Sequence, residues 1–426
     1  MSSKLDKKTL FYSTCIPFFV FFAVFDAVIY PNAEKLQPSL SLVTSILGQG
    51  GVVSKILTHW TSALFYIVSE IYSSVSIGLL FWQFANDVVS IQQAQRFYPL
   101  FAQMSGLAPI VAGQYVVRYA SKAKDFDGSM HRLTVAIVSA GCMICIMYHF
   151  VNSFLERHGE GLISNTMETT SPDANPTKKK QPNMSMTESF RFLSSSKYLR
   201  LLLSLVLGYG LSVQFTEVLW KSLLKLKYPD PLDYQRFMGN FASTVGICTC
   251  LVIFGGVHVI RILGWKAGAI ATPTIMAALA IPFFGCIILG PPLDGDSTPT
   301  RLAVAVTLGT LQSLVTKTTK YALFDPTTQM AYIPLDRESK VKGKAAIDVL
   351  GSRLGKSGGS LIQQIVVLSF GGNILQATHV MGLLFYGVLA AWVSSAVSLS
   401  KLFLEKTALV HQQQEAAAKA SEKKLD

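Results

Sequence analysis

Apolar residues in this chain come in runs of about twenty, the length that crosses a hydrocarbon core at helical rise. Ten runs can be read, at 10–30, 61–82, 99–119, 133–152, 198–218, 237–258, 267–289, 302–319, 357–370 and 379–402. They are continuous and do not alternate with a period of two, so a closed barrel is excluded and each run predicts a helix. Pro109, Pro273 and Pro282 fall inside runs, which suits membrane helices whose neighbours satisfy a freed carbonyl. The pattern predicts an all-α, polytopic membrane protein with about ten spans.

Polar segments divide the chain. Four runs lie in an N-terminal bundle over 1–152, and a Ser/Thr/Asn/Pro-rich stretch over 153–196 reads as a flexible linker. Six runs form a C-terminal bundle over 197–405, and a polar tail covers 406–426. Basic residues alternate from loop to loop. Lys4, Lys7, Lys8, Arg96, Lys178–Lys180, Arg191, Lys197, Arg261, Lys266, 317–356 and the tail fall on one side, whereas 290–300 and 371–378 have no Lys or Arg. That bias places the basic side inside. Arg118, Lys122, Lys124 and Arg132 are the exception, on the outer side.

Composition agrees. Half the residues are hydrophobic and 15% are charged, with a mean hydropathy of +0.40. The net charge of +12 is spread over loops that meet anionic headgroups. No nucleic-acid motif accompanies it, so nucleic acid is not an expected partner. The six cysteines all lie in apolar runs and read as small buried thiols. Cys142 and Cys145 are spaced CxxC without a flanking His or second pair, so no metal or cofactor is expected. The first eight residues lead straight into a span without a small-residue cleavage site, unlike a secretory signal. The seven histidines fall near span ends or in loops, without the convergence a catalytic centre needs. An enzyme is not expected.

Charge inside the runs is the informative departure, because ionisable groups at membrane depth mark pathways or pair with one another. The stretch KVKGKAAIDVLGSRLGKSGGSLIQQ, 340–364, carries Lys356 beside Gly355, Gly358 and Gly359 at the mouth of a span. An ammonium there meets phosphate with little steric obstruction, or snorkels to the anionic surface. Arg353, three residues back on the same face, offers bidentate phosphate contacts. The segment from Gly351 to Ser357 has a P-loop flavour, but three residues separate its glycines where the motif requires four. Glu70 lies mid-run with Tyr66, Ser73 and Ser74 at helical spacing, as a helix–helix hydrogen-bonding group or a substrate or coupling group. Glu217 and Lys221 stand at i,i+4, as a surface pair or as transport residues. Gly309, Gln312, Ser313, Thr316, Lys317 and Lys320 make a polar stripe that packs against helices or lines a wet path. Tyr66, Tyr209 and Tyr321 are candidates for base stacking or interfacial anchoring.

Three strings carry a resemblance. WTSALFYIVSEIYSSVSIGLLFWQFANDVVSIQQAQRFYPLF at 60–101, YGLSVQFTEVLWKSLLKLKYPDPLDYQRFMGNF at 209–241 and LFDPTTQMAYIPLDRESKVKGKAAIDVLGSRLGKSGGSLIQQ at 323–364 resemble the ATP/ADP translocases of plastids and obligate intracellular bacteria. The resemblance covers nearly the whole chain, from Phe11 to about Phe403. It implies a major-facilitator-like architecture, unrelated to the mitochondrial adenine nucleotide carrier, with twelve spans where this chain shows ten, four plus six. FYSTCIPFFVFFAVFDAVIYPN, at 11–32, is similar to the family's third span, and a gene model starting at an internal methionine is the expected reason. The resemblance further implies ATP/ADP exchange by alternating access, with ATP, ADP and other nucleotides as partners alongside the lipid bilayer. A broader nucleoside triphosphate carrier, or a non-transporting remnant or regulatory subunit, is the alternative. It identifies Lys356, Glu70 and Glu217 with the family's functional Lys and Glu positions, with Arg353 and Lys221 as their helpers. A plastid inner envelope is favoured over a bacterial inner membrane.

Overall fold

The computed structural model describes residues 7–39, 52–81, 84, 106–167, 186–291, 293 and 299–422. Among them there are helices and no strands. The long helices are α1 (Lys7–Val24), α2 (Trp60–Tyr72), α3 (106–118), α4 (Phe126–Met167), α5 (Met186–Ser195), α6 (Lys197–Lys227), α7 (Pro231–Ile288), α8 (Pro299–Thr319), α9 (Arg337–Ser369) and α10 (Thr378–Glu422). Five stretches of these are long and apolar enough to cross a membrane: Lys8–Ile29, Phe126–Phe154, Lys197–Lys227, Ile260–Ile288 and Thr378–Leu409. Apart from residues at their ends, all ten predicted runs are helical where they are described. The protein is a helical, polytopic membrane protein.

The chain separates into two compact units, residues 1–104 with 115–176 and residues 105–114 with 177–426. In the first, α1 and α4 run antiparallel with an aromatic seam. Phe11 stacks on Tyr148 with ring centroids 3.7 Å apart, Tyr12 Oη donates to the Cys145 carbonyl at 3.4 Å, and Phe19 covers Gly141. At the far end of α1 the backbone widens into a π-helical turn, Phe25–Ile29. There Asp26 meets His131 at 2.6 Å, and Tyr30 donates to Asp127 at 2.8 Å. Arg132, one of the exceptional basic residues on the expected outer side, lies over the Tyr119 ring and donates to the Tyr119 carbonyl at 2.6 Å. Its charge fastens a turn, which explains its breach of the loop rule.

In the second unit, α6 is the shared contact. Ser196 caps its first turn, its side chain accepting from the Leu199 amide. Lipid supplies no hydrophobic drive between helices, so close packing relies on small residues that let backbones approach. On α9, Gly343 faces Leu199, Gly351 faces Val206, Gly355 faces Gly210, and Gly359 faces Leu211 and Gln214. The steady offset means that α6 and α9 run parallel. Against α10, α6 is antiparallel: Ser204 bonds Ser395 at 2.9 Å, and Gly208 lies under Trp392. Residues 106–114 of α3 pack antiparallel on α7 by the same device, with Gly106 at Cys250, Ile110 at Gly246 and Gly113 at Ser243.

Helix α7 contains two predicted runs. Gly264, at φ 82°, breaks it into arms 231–263 and 265–288, between Arg261 and Lys266. Only glycine adopts that φ without strain. The second arm and α8 form an antiparallel hairpin whose corner is held by Arg301. Its guanidinium donates to the carbonyls of Cys286, Ile287, Leu289 and Pro291, the orphan acceptors at the end of α7. At the end of α9, Gly371 and Gly372 take positive φ, and the Gly372 and Gly371 amides donate to Val367 and Leu368. This pairing closes the helix with its last carbonyls satisfied.

Two segments gain detail, and the reading of the cysteines changes. The stretch read as a flexible linker, 153–196, is helical at both ends, since α4 continues to Met167 and α5 covers Met186–Ser195. Leu193 of α5 is buried in the core of the second unit, so an apolar anchor sits within a segment whose average composition is polar. Residues 168–185, with Lys178–Lys180, lie outside the described residues. The polar tail is helical as far as Glu422, consistent with its alanine-rich composition. Of the six cysteines only Cys15 is buried, and Cys142 is exposed, because an apolar run buries one face on protein and turns the other to lipid.

Two outcomes follow. A methyl group at Gly113 runs into the Gly239 carbonyl oxygen and Ser243, so Gly113→Ala is expected to cost about 1–3 kcal/mol, read as a lower melting temperature in detergent. Asp336 caps α9 by accepting from the Ser339 amide at 3.0 Å, and that bond holds its carboxyl below the usual range. A lowered carboxyl stabilises the fold above its unfolded pKa and loses the effect as pH falls through the folded one. Asp336→Ala is therefore expected to cost about 1 kcal/mol at neutral pH, with the difference from wild type shrinking in acid.

Candidate functional site

Glu217 lies on α6, two turns beyond the Gly210–Gly355 contact, and its side chain is 21% exposed. The predicted i,i+4 pair is present: Lys221 Nζ is 3.0 Å from Glu217 Oε1. A second ammonium shares the same oxygen. Lys317 Nζ, from α8, donates to Glu217 Oε1 at 3.3 Å, with its side chain 32% exposed. The antiparallel packing of α6 on α8 brings it there, fixed by Trp220, whose Nε1 donates to Thr310 at 3.1 Å and whose ring covers Gly309. Phe241 packs on Trp220 at 4.7 Å and lies beneath the Lys317 ammonium at 6.0 Å. Among the described residues one carboxylate thus answers two ammonium groups, and the three side chains carry a net charge of +1. Sequence reasoning placed Lys317 in the polar stripe of α8, but spacing along one helix gives no sign of a partner on another.

The stripe itself divides. Gln312, Ser313 and Thr316 are buried, and Gln312 Nε2 donates to the Met276 carbonyl at 3.2 Å, so this part packs against helices. Lys320 pairs with Asp325 at 2.7 Å and lies 4.4 Å from the Tyr321 ring centroid. That pair sits at a π-helical turn, Lys320–Phe324. Tyr209 stacks on Phe324 at 5.0 Å and meets the edge of Trp392. One of its faces is therefore filled by protein, whereas Tyr321 and Tyr66 are exposed.

Lys356 lies within a long helix. Helix α9 begins at Arg337, about five turns earlier, because its polar first half continues the helix without interruption. By the parallel register, Lys356 lies level with Leu211, near the middle of the candidate span Lys197–Lys227. Its side chain is exposed. Along the helix axis it precedes Glu217 by roughly 9 Å at helical rise. The glycines around it serve two purposes: Gly355 and Gly359 are contact points on α6, and only Gly358 has open space beside it. One turn from Glu217, Gln214 Nε2 donates to Gln363 Oε1 at 3.2 Å and ties the two helices. Arg353 belongs to α9, and its side chain lies outside the described residues.

Glu70 belongs to the first unit, on α2, with an exposed side chain. A π-helical stretch, Ser73–Phe81, starts directly after this turn.

The fold is that of a helical membrane protein with ionisable groups between its helices, where such groups pair with one another or mark pathways. The chain belongs to the ATP/ADP transporter family: the family model described as "TLC ATP/ADP transporter" matches residues 1–403. It is 40% identical over 441 residues to "ADP,ATP carrier protein 1" of Chlamydia pneumoniae, covering 99% of this chain and 84% of that relative. It is 37% identical over 417 residues to "ADP,ATP carrier protein 2, chloroplastic" of Arabidopsis thaliana, covering 95% of this chain and 65% of that relative. With "ADP,ATP carrier protein 4" of Rickettsia bellii, identity is 33% over 384 residues, covering 86% and 72%. The chain thus spans 65% of the length of its Arabidopsis relative.

A double-mutant cycle tests the cluster. Glu217→Gln and Lys317→Gln, alone and together, are expected to show a coupling of about 0.5–3 kcal/mol in thermal unfolding. Strict additivity contradicts the contact.

Proposed function

We propose that this protein exchanges ATP for ADP across a membrane by alternating access. The observation that carries the reading is the Glu217–Lys221–Lys317 cluster, half-buried charge with a net positive sign inside a helical bundle. Membership of a family whose relatives are named ADP,ATP carriers supplies the substrate class. Lys356 attracts polyphosphate, and Arg353 adds a planar, bidentate donor at i−3. Glu217 and Glu70 balance charge as the load changes, and Lys221 stays paired with Glu217. The host membrane is the plastid inner envelope, in keeping with relatives named as chloroplastic. Catalysis is not part of the reading. The nucleotide is recognised and carried, with no bond made or broken.

The test is counterflow in proteoliposomes. Labelled ATP is expected to enter vesicles preloaded with ADP and to stay near background in empty ones. Lys356→Ala is expected to lower the exchange rate at least about tenfold, the cost of one charged hydrogen bond. Uptake from each nucleoside triphosphate at similar rates favours a broader carrier. Influx no greater than in protein-free vesicles contradicts transport by this chain.

A further inference from the structure

Among the described residues, the cluster at Glu217 sets two ammonium groups against one carboxylate. Lys320, one turn along, has a carboxylate of its own in Asp325, so the neighbouring charges cancel pair by pair. At Glu217, ammonium groups from two helices converge on a single oxygen, Oε1, at 3.0 and 3.3 Å. Two ammonium groups held around one anionic oxygen are the arrangement that grips a phosphoryl group, and here a carboxylate sits in it. The described protein leaves the site partly uncovered, since Lys221 and Lys317 keep 44% and 32% of their side-chain surface exposed. Lys317 is also held in place without the carboxylate, by the Phe241 ring beneath it and the Trp220–Gly309 packing of its helix. A polyphosphate carries more negative charge than Glu217 and presents several oxygens, so it competes for the same ammonium groups.

Resting on the nucleotide-carrier reading, we infer that Lys317 is a phosphate-binding residue of the transport site. Glu217 fills its place when no nucleotide is bound, so the Glu217–Lys317 contact and nucleotide binding exclude each other. The ligand class is a nucleoside di- or triphosphate, gripped through its phosphates rather than its base. The ordering of affinities by phosphate number then depends on Lys317. Lys221, one turn from Glu217 on the same helix, retains its partner throughout.

Binding of ATP, ADP and AMP to the purified full chain separates the possibilities. Lys317→Ala is expected to weaken ATP and ADP about 10- to 100-fold, the range for one charged hydrogen bond, and AMP far less. Lys317→Arg is expected to recover most of the loss. Glu217→Gln, which removes the competing anion, is expected to bind ADP a few-fold more tightly than wild type. A uniform loss for all three nucleotides in Lys317→Ala, without rescue by Arg, overturns the inference in favour of a structural ion pair. Should Lys317→Ala fail to fold, the Glu217→Gln and Lys317→Arg measurements decide, and unchanged or weaker ADP binding in Glu217→Gln overturns it. Failure of the unsubstituted protein to bind any of the three removes the carrier reading as well, an outcome distinct from failure of the Lys317 assignment alone.

Discussion

The close approach of α6 to its neighbours is the constraint on which the second unit depends. Helices surrounded by lipid gain nothing from burying apolar surface that lipid would cover equally well. Contact must come from fit, and here it comes from glycines: Gly210 on Gly355, Gly208 under Trp392, Gly351 against Val206. These contacts set the parallel register of α6 and α9 and, through it, the depth at which Lys356 leaves its helix. Among the described residues, α6 carries Glu217 and also receives the Gly355 contact next to Lys356. A side chain placed on that seam acts at a distance, by moving charge.

Charge is then arranged against this frame in two ways. Arg132 at Tyr119 and Arg301 at the end of α7 spend their charge on carbonyls and rings, holding corners of the fold. Glu217, Lys221 and Lys317 do not cancel. Burying an ion is costly unless it is paired, and a half-open cluster with one cation in excess has that cost relieved by an anion from solution. The difference between the two arrangements lies in stoichiometry, and it separates structural cations from those suited to a solute.

Much of the architecture was legible because its signal is local. Runs of twenty apolar residues gave the helices, and the break at Gly264 fell between two of them as Arg261 and Lys266 implied. The Glu217–Lys221 pair could be read from i,i+4 spacing alone. Lys317 joined it only in three dimensions, since the packing of Trp220 on Gly309 that brings α8 there is not written in the spacing of either helix. Lys356 reads as the mouth of a span because the apolar run begins after it, and its helix extends back to Arg337, since polar residues favour helix as readily as apolar ones. Its glycines read as clearance for a ligand, whereas Gly355 and Gly359 serve the contact with α6. Tyr209 is a candidate for stacking or anchoring by sequence, and Phe324 fills one of its faces. In each case the local pattern named the residue, and the neighbouring helix decided its use.

The most direct test of the central claim is the separation of Glu217 Oε1 and Lys317 Nζ in experimental structures with and without bound ADP. The account predicts that the 3.3 Å contact is present without nucleotide and opens beyond ion-pair distance when ADP binds, with Lys317 on a phosphate oxygen. A contact that persists at the same length while ADP occupies the protein would contradict it.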